Sequence, residues 1–176
     1  MRKVIYSVAM SLDGYIARPD GAYDWIPMDP AIDWDAFMGR FDTVLVGRRT
    51  FDLMRTQGNG GGKWHRSLVF SRTLAPQDFP DVTVVRDEAG AALVADLRRQ
   101  EGKDIWLVGG GVLFRSLLDA GLVDAVETAI VPILLGEGLP MLPSAPRTVK
   151  LRYVNQTRYP SGIVLLRYDV VSGGQL

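Results

Sequence analysis

The sequence predicts one α/β domain: a mostly parallel sheet of about eight strands, finished by an antiparallel hairpin and flanked by about four helices. Three observations carry this. Short apolar runs alternate with helical stripes through most of the chain, the order that builds a parallel sheet with crossover helices. The last two runs, residues 151–158 and 163–171, are joined only by Tyr159-Pro160-Ser161-Gly162, a turn that returns a strand on its neighbour. The 176 residues, 47% apolar and 23% charged, suffice for one core, so residues 1–176 are read as a single unit.

The elements follow in order. Residues 4–10 form an apolar run expected of a strand buried on both faces. Residues 11–29 are irregular, with Asp13-Gly14, Pro19-Asp20-Gly21 and Pro27 as turn signals, and a connection that long predicts a functional lid. Asp29-Pro30 reads as an N-cap with proline at the first helical position, ahead of a helical stripe of Trp34, Phe37, Met38 and Phe41. Residues 43–46 are a strand, Gly47 a tight turn, and Thr50 the cap of a short helix through Met54. Residues 57–63, with Gly58 and Gly60-Gly61-Gly62, read as a flexible loop, and 67–70 and 82–85 as strands. Asp87 caps a helix that places Ala89, Leu93, Val94 and Leu97 on one face and ends near Gly102. Residues 105–108 are a strand, Gly109-Gly110-Gly111 a turn, 112–120 a helix and 125–131 a strand.

Composition excludes several chemistries. Lys plus Arg equals Asp plus Glu, so no nucleic-acid or membrane partner is indicated, and anion binding has to come from a few placed cations. The absence of cysteine removes disulfides, thiolate nucleophiles and zinc knuckles. His65 is the one histidine, which rules out multi-histidine metal sites and suits a structural role beside Trp64 and Arg66. Asp29, Asp33 and Asp35 point different ways on a helix, so no metal is expected. The start of the chain resembles a signal peptide only superficially, and no apolar stretch approaches the ~20 residues of a membrane span, so the expected compartment is the cytoplasm.

Two strand ends carry the sharpest chemistry. In Ile105-Trp106-Leu107-Val108-Gly109-Gly110-Gly111, three glycines between a strand and a helix let a phosphate approach free N–H groups and the positive end of the helix dipole. A plain tight turn explains the run equally well, and position 114 is Phe114 where the usual dinucleotide fingerprint has its third glycine. Thr43-Val44-Leu45-Val46-Gly47-Arg48-Arg49-Thr50 again runs a strand into a helix start, now with two guanidinium groups and a hydroxyl. Ser71-Arg72-Thr73 and Val85-Arg86 repeat the arrangement. Arginines at the ends of three neighbouring strands would form an anion pocket in a chain of zero net charge.

These motifs, in this order, resemble dihydrofolate reductases. Ser11-Leu12-Asp13-Gly14-Tyr15-Ile16-Ala17, Val131-Pro132-Ile133-Leu134-Leu135-Gly136-Glu137-Gly138 and the Tyr159-Pro160-Ser161-Gly162 hairpin look more like one branch, the reductase domain of bacterial riboflavin biosynthesis and its stand-alone relatives. The resemblance implies the dihydrofolate-reductase-like fold and NADPH as cofactor. Arg48, Arg72 and Arg86, with Ser71, match places that hold the adenosine 2′-phosphate, and Gly47, Arg49 and Thr50 match the pyrophosphate site. Val108, Gly109, Gly110, Gly111, Val112 and Leu113 match the second phosphate turn and its helix start, where the family has a cis Gly-Gly bond. Val8, Ala9, Ile16 and Ala17 match the nicotinamide walls, and Phe114 and Thr128 match inner positions near the ring and the substrate.

On the substrate side, Asp33 and Phe37 stand one turn apart, as do the carboxylate and aromatic of the folate enzymes, while the pterin-anchoring arginine has no counterpart. Asp33 is a candidate proton donor or simply a charge in a first helical turn, Asp13 a second candidate or a turn residue, and Trp25 a lid anchor or a stacking surface. The expected function is hydride transfer from NADPH to a C=N or C=O bond of a small heterocyclic or carbonyl substrate. Dihydrofolate reduction and a nucleotide-binding module without chemistry are the alternatives. The riboflavin enzyme is usually fused to a zinc-binding deaminase, whose Cys and His residues this chain lacks. A homodimer is expected, since relatives of that type commonly dimerise, with residues 131–135 and the final hairpin as the surface.

Overall fold

The computed structural model describes residues 1–56, 66–144 and 148–171; the glycine-rich stretch 57–63, Trp64 and His65 lie outside them. The elements in chain order are β1 (Val4–Ser11), β2 (Tyr15–Ala17), α1 (Trp34–Met38), β3 (Phe41–Gly47), α2 (Arg48–Thr56), β4 (Arg66–Phe70), a single 3₁₀ turn (Pro76–Asp78), β5 (Thr83–Val85), α3 (Asp87–Arg99), β6 (Asp104–Gly109), α4 (Gly111–Asp119), β7 (Ala125–Val131), β8 (Leu139–Pro140), β9 (Leu151–Arg158) and β10 (Val164–Val170).

Side chains alternate across a strand, and along β1 both sets are apolar, so both faces need cover. Val4 and Tyr6 join Leu45, Ile105 and Leu107 on one face, where Val94 and Leu97 of α3 and Phe114, Leu117 and Leu118 of α4 close over them. Val94 and Leu97 are fully buried, each contributing about 1.5–3 kcal/mol, and this stripe is what docks α3. Ile5, Val46 and Val69 face the other way. Phe51 of α2 covers Val46 and Val69, and Phe37 of α1 packs with Ile5, Phe41 and Trp106.

The main sheet runs β5-β4-β3-β6-β1-β7-β10-β9. The six strands from β5 to β7 are parallel, and β10 and β9 add antiparallel, as the terminal turn predicts. All six parallel strands therefore end at one edge. At the far side β9 pairs only with β10 among the described residues, and Leu151, Tyr153 and Val154 are exposed along it. Among the described residues no helix is long and apolar enough to cross a membrane.

Several local expectations are corrected. Asp29 does not cap α1; its buried carboxylate accepts the N–H groups of Ala31 at 2.8 Å and of Ser161 at 2.9 Å, fastening the lid to the final hairpin. Asp33 is the cap instead, accepting from Ala36 N–H at 2.8 Å, and α1 is one short turn that ends at Gly39, leaving Phe41 to open β3. Thr50 lies inside α2, whose first residue is Arg48, so its hydroxyl is not an N-cap. Arg86, not Asp87, holds the cap position of α3. β2 and β8, paired as a small separate sheet, and the 3₁₀ turn have no counterpart in the sequence reading.

Candidate functional site

β3, β4, β5 and β6 are neighbours, and they end at Gly47, Phe70, Val85 and Gly109. α2 and α4 start at that same edge, and one hydrogen bond joins the two starts: Gly110 N–H donates to Thr50 Oγ1 at 3.1 Å. Gly109 has φ +156°, a conformation that side-chain-bearing residues avoid. Every described peptide bond is trans, the Gly109-Gly110 bond included, so the cis bond implied by the resemblance is absent. A Cβ on Gly109 or Gly110 would meet nothing nearer than Thr50 Oγ1, at 3.6 and 3.5 Å, so the outer side of the turn is open. A Cβ on Gly111 would stand 2.9 Å from Pro140 O and Pro143 Cδ, so this glycine is required by packing. Val112 is exposed beside the turn, and Leu113 lies under Gly47, whose own Cβ would come 3.7 Å from it.

The cations gather at the same edge but are bound differently. Arg48 Nε donates to Asp52 at 2.6 Å and Nη1 to Thr73 Oγ1 at 3.2 Å. Ser71 Oγ accepts the N–H groups of Thr73 and Leu74, at 3.2 and 3.0 Å, and is buried in doing so. Arg86 turns its guanidinium onto the carbonyls of Ser71, Arg72 and Leu74. Arg49 and Arg72 are exposed. Two helix starts and the residues Arg48, Arg49, Arg72 and Arg86 thus lie along one edge of the sheet, an arrangement suited to phosphate. Among the described residues no group of carboxylates and histidine is placed to hold a metal.

The inner candidates divide between the two faces of the sheet. Val8 and Thr128 are register partners on β1 and β7, and Phe114 stacks on Tyr6 with ring centroids 3.8 Å apart on that same face. Thr128 Oγ1 donates toward Met141 Sδ at 3.6 Å. Ile16 and Ala17 form β2, alongside β8. On the opposite face Trp25 is buried with Val131 and Ile163, close to Ala9, so the lid is anchored by its own aromatic. Phe37 meets Trp106 edge to face at 5.0 Å, and Trp106 fixes its indole by donating to Ser7 O at 3.0 Å. Trp106 is the residue the sequence reading missed; its signal is an aromatic at a position that alternates with the buried Ile105 and Leu107.

Of the two candidate carboxylates, Asp33 is exposed with one oxygen given to the α1 cap. Asp13 accepts from Leu135 N–H at 3.1 Å and Gly136 N–H at 2.7 Å. The Ser11 hydroxyl foremost, then these backbone N–H groups, pull its carboxyl down to about 2. At neutral pH Asp13 is therefore an anion that ties the start of the lid to the 131–138 segment. Glu127, buried on β7, takes both Nη groups of Arg40 at 2.9 and 2.6 Å and holds that guanidinium firmly charged beside Phe37 and Phe41.

A family model described as the RibD C-terminal domain matches residues 2–165 of the chain. Protein YyaP of Bacillus subtilis is 32% identical over 179 residues, 95% of this chain and 94% of its own length. A crystal structure of a putative riboflavin biosynthesis protein from Shewanella sp. PV-4 superposes with a TM-score of 0.78 at 26% identity, over 96% of this chain and 99% of that one. Dihydrofolate reductase from Enterococcus faecalis, complexed with NADP(H), shares the fold at a TM-score of 0.68 and 16% identity, over 96% of each chain.

The Asp13 anchor has a pH signature. Its carboxyl is lowered on folding, so its contribution to stability is complete above the ordinary carboxylate value near 4 and is lost as pH falls through about 2. Asp13→Asn should unfold at lower denaturant than the parent at pH 6, and the gap should close by pH 2. A gap independent of pH would mean that the carboxylate charge does not hold the lid.

Proposed function

Because the chain belongs to the RibD C-terminal domain family, we propose that it is an NADPH-dependent reductase delivering a hydride to a C=N or C=O bond of a small heterocyclic substrate. The observation that carries this reading is the open cradle at Gly109 and Gly110, set between two helix starts and the strand ends that bear Arg48, Arg72 and Arg86. A dinucleotide fits it by chemistry: free N–H groups for a pyrophosphate, and guanidinium groups with Thr73 and Ser71 nearby for a further phosphate.

In this reading Gly110, Gly111 and Val112, with Gly47, Arg49 and Thr50, would hold the pyrophosphate, and Arg48 and Arg72 the 2′-phosphate. NADPH supplies the hydride when bound, and the protein supplies binding, orientation and electrostatics. Ala9, Ile16 and Ala17 would line the nicotinamide end, with Val8 and Phe114 backing it from the other face of the sheet. Thr128 stands beside Val8 on that other face, while on the face of Ala9 Phe37 and Trp106 offer an aromatic wall for the substrate and Trp25 anchors the lid. Holding the two reactants in one dry cleft accounts for most of the rate. Asp33, with one carboxylate oxygen outside its cap bond, relays the proton, whereas Asp13 is spent on the lid. A second copy joins along the outer edge of β9, where Leu151, Tyr153 and Val154 are exposed in one chain; the 131–135 run contributes Pro132 and Leu134, since Val131, Ile133 and Leu135 are packed under the lid.

Three measurements test this. Arg48→Ala should weaken NADPH by about 1.5–3 kcal/mol and NADH much less, because only NADPH has a 2′-phosphate for the lost guanidinium; equal losses in a binding titration would remove Arg48 from that phosphate. Asp33→Asn keeps a good helix cap, so the fold and NADPH affinity should hold while turnover on a responsive acceptor falls about 10²–10⁴-fold. Full activity with an unchanged pH profile would leave Asp33 as a cap only. Sedimentation at micromolar concentration should show a dimer, and a compact monomer would sink the β9 interface.

A further inference from the structure

The arginines at the strand ends have equivalent positions in the sequence but different tasks in the fold. Arg48 reaches across to Thr73 on the neighbouring loop. Arg86 folds back beneath that loop: Nη1 donates to Ser71 O at 3.3 Å and to Arg72 O, and Nη2 to Leu74 O at 3.0 Å. The same loop is tied to β5 by Ser71 N–H on Val85 O at 3.0 Å, and its far end is sunk in the core by the buried Leu74. Ser71 Oγ then collects the two N–H groups within the loop. Both guanidinium Nη groups of Arg86 are thereby spent on the carbonyl oxygens of the loop.

Resting on the NADPH reading above, we propose that Arg86 is a positioning residue for cofactor selectivity and not a phosphate ligand: its planar fork holds the 71–74 loop so that Thr73 orients Arg48 toward the 2′-phosphate. The argument turns on shape more than charge. A guanidinium reaches three carbonyls from one plane, whereas a lysine ammonium is a point charge that cannot match that spread. A direct phosphate contact instead predicts that lysine keeps part of the selectivity as a point charge and that the 71–74 loop is undisturbed when no ligand is bound.

The test compares the intact chain with Arg86→Lys and Arg86→Ala, titrating NADPH, NADH, 2′,5′-ADP and 5′-AMP. Both variants should lose about 5–30-fold in affinity for NADPH and 2′,5′-ADP, with NADH and 5′-AMP within about twofold of the parent. In the cofactor-free protein, amide exchange at Thr73 and Leu74 should quicken in the lysine variant, a readout that needs no ligand. Parental selectivity in Arg86→Lys would overturn the proposal in favour of a direct charge contact. Equal losses for all four ligands would overturn it in favour of general loosening. If the parent protein itself shows no preference for 2′-phosphorylated ligands, the NADPH reading fails first, visibly and before any variant is made, and the positioning role falls with it.

Discussion

The close approach of β3 to β6 at the carboxyl edge governs what that edge can do. Their register slips between Leu45 and Val46, so that Val46 stands opposite Gly109. A Cβ on Gly47 would stand 3.4 Å from Gly109 O, at the edge of ordinary contact, so the two strand ends leave little room between them for more than a glycine. With glycine on both sides, α2 and α4 begin close enough for Thr50 to accept from Gly110. Two helix dipoles then act on one small volume, which a strand-to-helix turn used once cannot achieve. The bond also satisfies one of the N–H groups that every helix start leaves unpaired.

Around that edge the protein spends its charge locally. Elsewhere many of the arginines are paired with carboxylates, among them Arg2 with Asp42, Arg40 with Glu127, Arg98 with Asp124, Arg115 with Asp119 and Arg152 with Asp169. Most of these pairs are partly exposed and add little to stability, about 0–1 kcal/mol each. Arg40–Glu127 differs because Glu127 is buried, so removing Arg40 would leave an enclosed carboxylate with only the more distant Arg167, at 3.7 Å, to balance it. The pair also seats Arg40 over Phe37 and Phe41, so the aromatic wall beneath α1 inherits its position from an ion pair on β7. At the carboxyl edge Arg48 meets Asp52 and the Thr73 hydroxyl, and Arg86 meets the carbonyls of Ser71, Arg72 and Leu74.

Elements whose signal repeats within the element were legible in the sequence. Seven of the eight strands of the main sheet and the stripes of α3 and α4 are long enough to show their period, β5 shows as a short β-branched run, and the terminal turn announces the antiparallel hairpin. β2 and β8, of three and two residues, are too short for any period, and they exist because the chain brings Tyr15 beside Pro140. Asp29 carried a good local capping pattern, yet its carboxylate is claimed by Ser161, 132 positions away, and long-range geometry wins over the local rule. Phe41 fits the α1 stripe by spacing, but Gly39 ends the helix and the buried ring starts β3. At the candidate site the sequence singled out by residue type the glycines and arginines that the fold gathers at one sheet edge. Which arginine faces solvent and which turns onto carbonyls is fixed by loop shape, and spacing does not encode it.

The 131–143 segment connects what would otherwise be two independent devices. At one end it takes Asp13 on the N–H groups of Leu135 and Gly136, and Leu12 N–H on Ile133 O at 2.9 Å, so the start of the lid is hung from it. In the middle, β8 pairs with β2, and Gly138 lies so close to Ala17 O that a side chain would not fit there. At the other end Pro140 and Pro143 press on Gly111 at the start of α4, and Met141 receives the Thr128 hydroxyl on its sulfur. A close-packed interior transmits displacements because there is little void to absorb them. The lid and the glycine turn rest against opposite ends of one short stretch of chain, so the position of either is a boundary condition on the other.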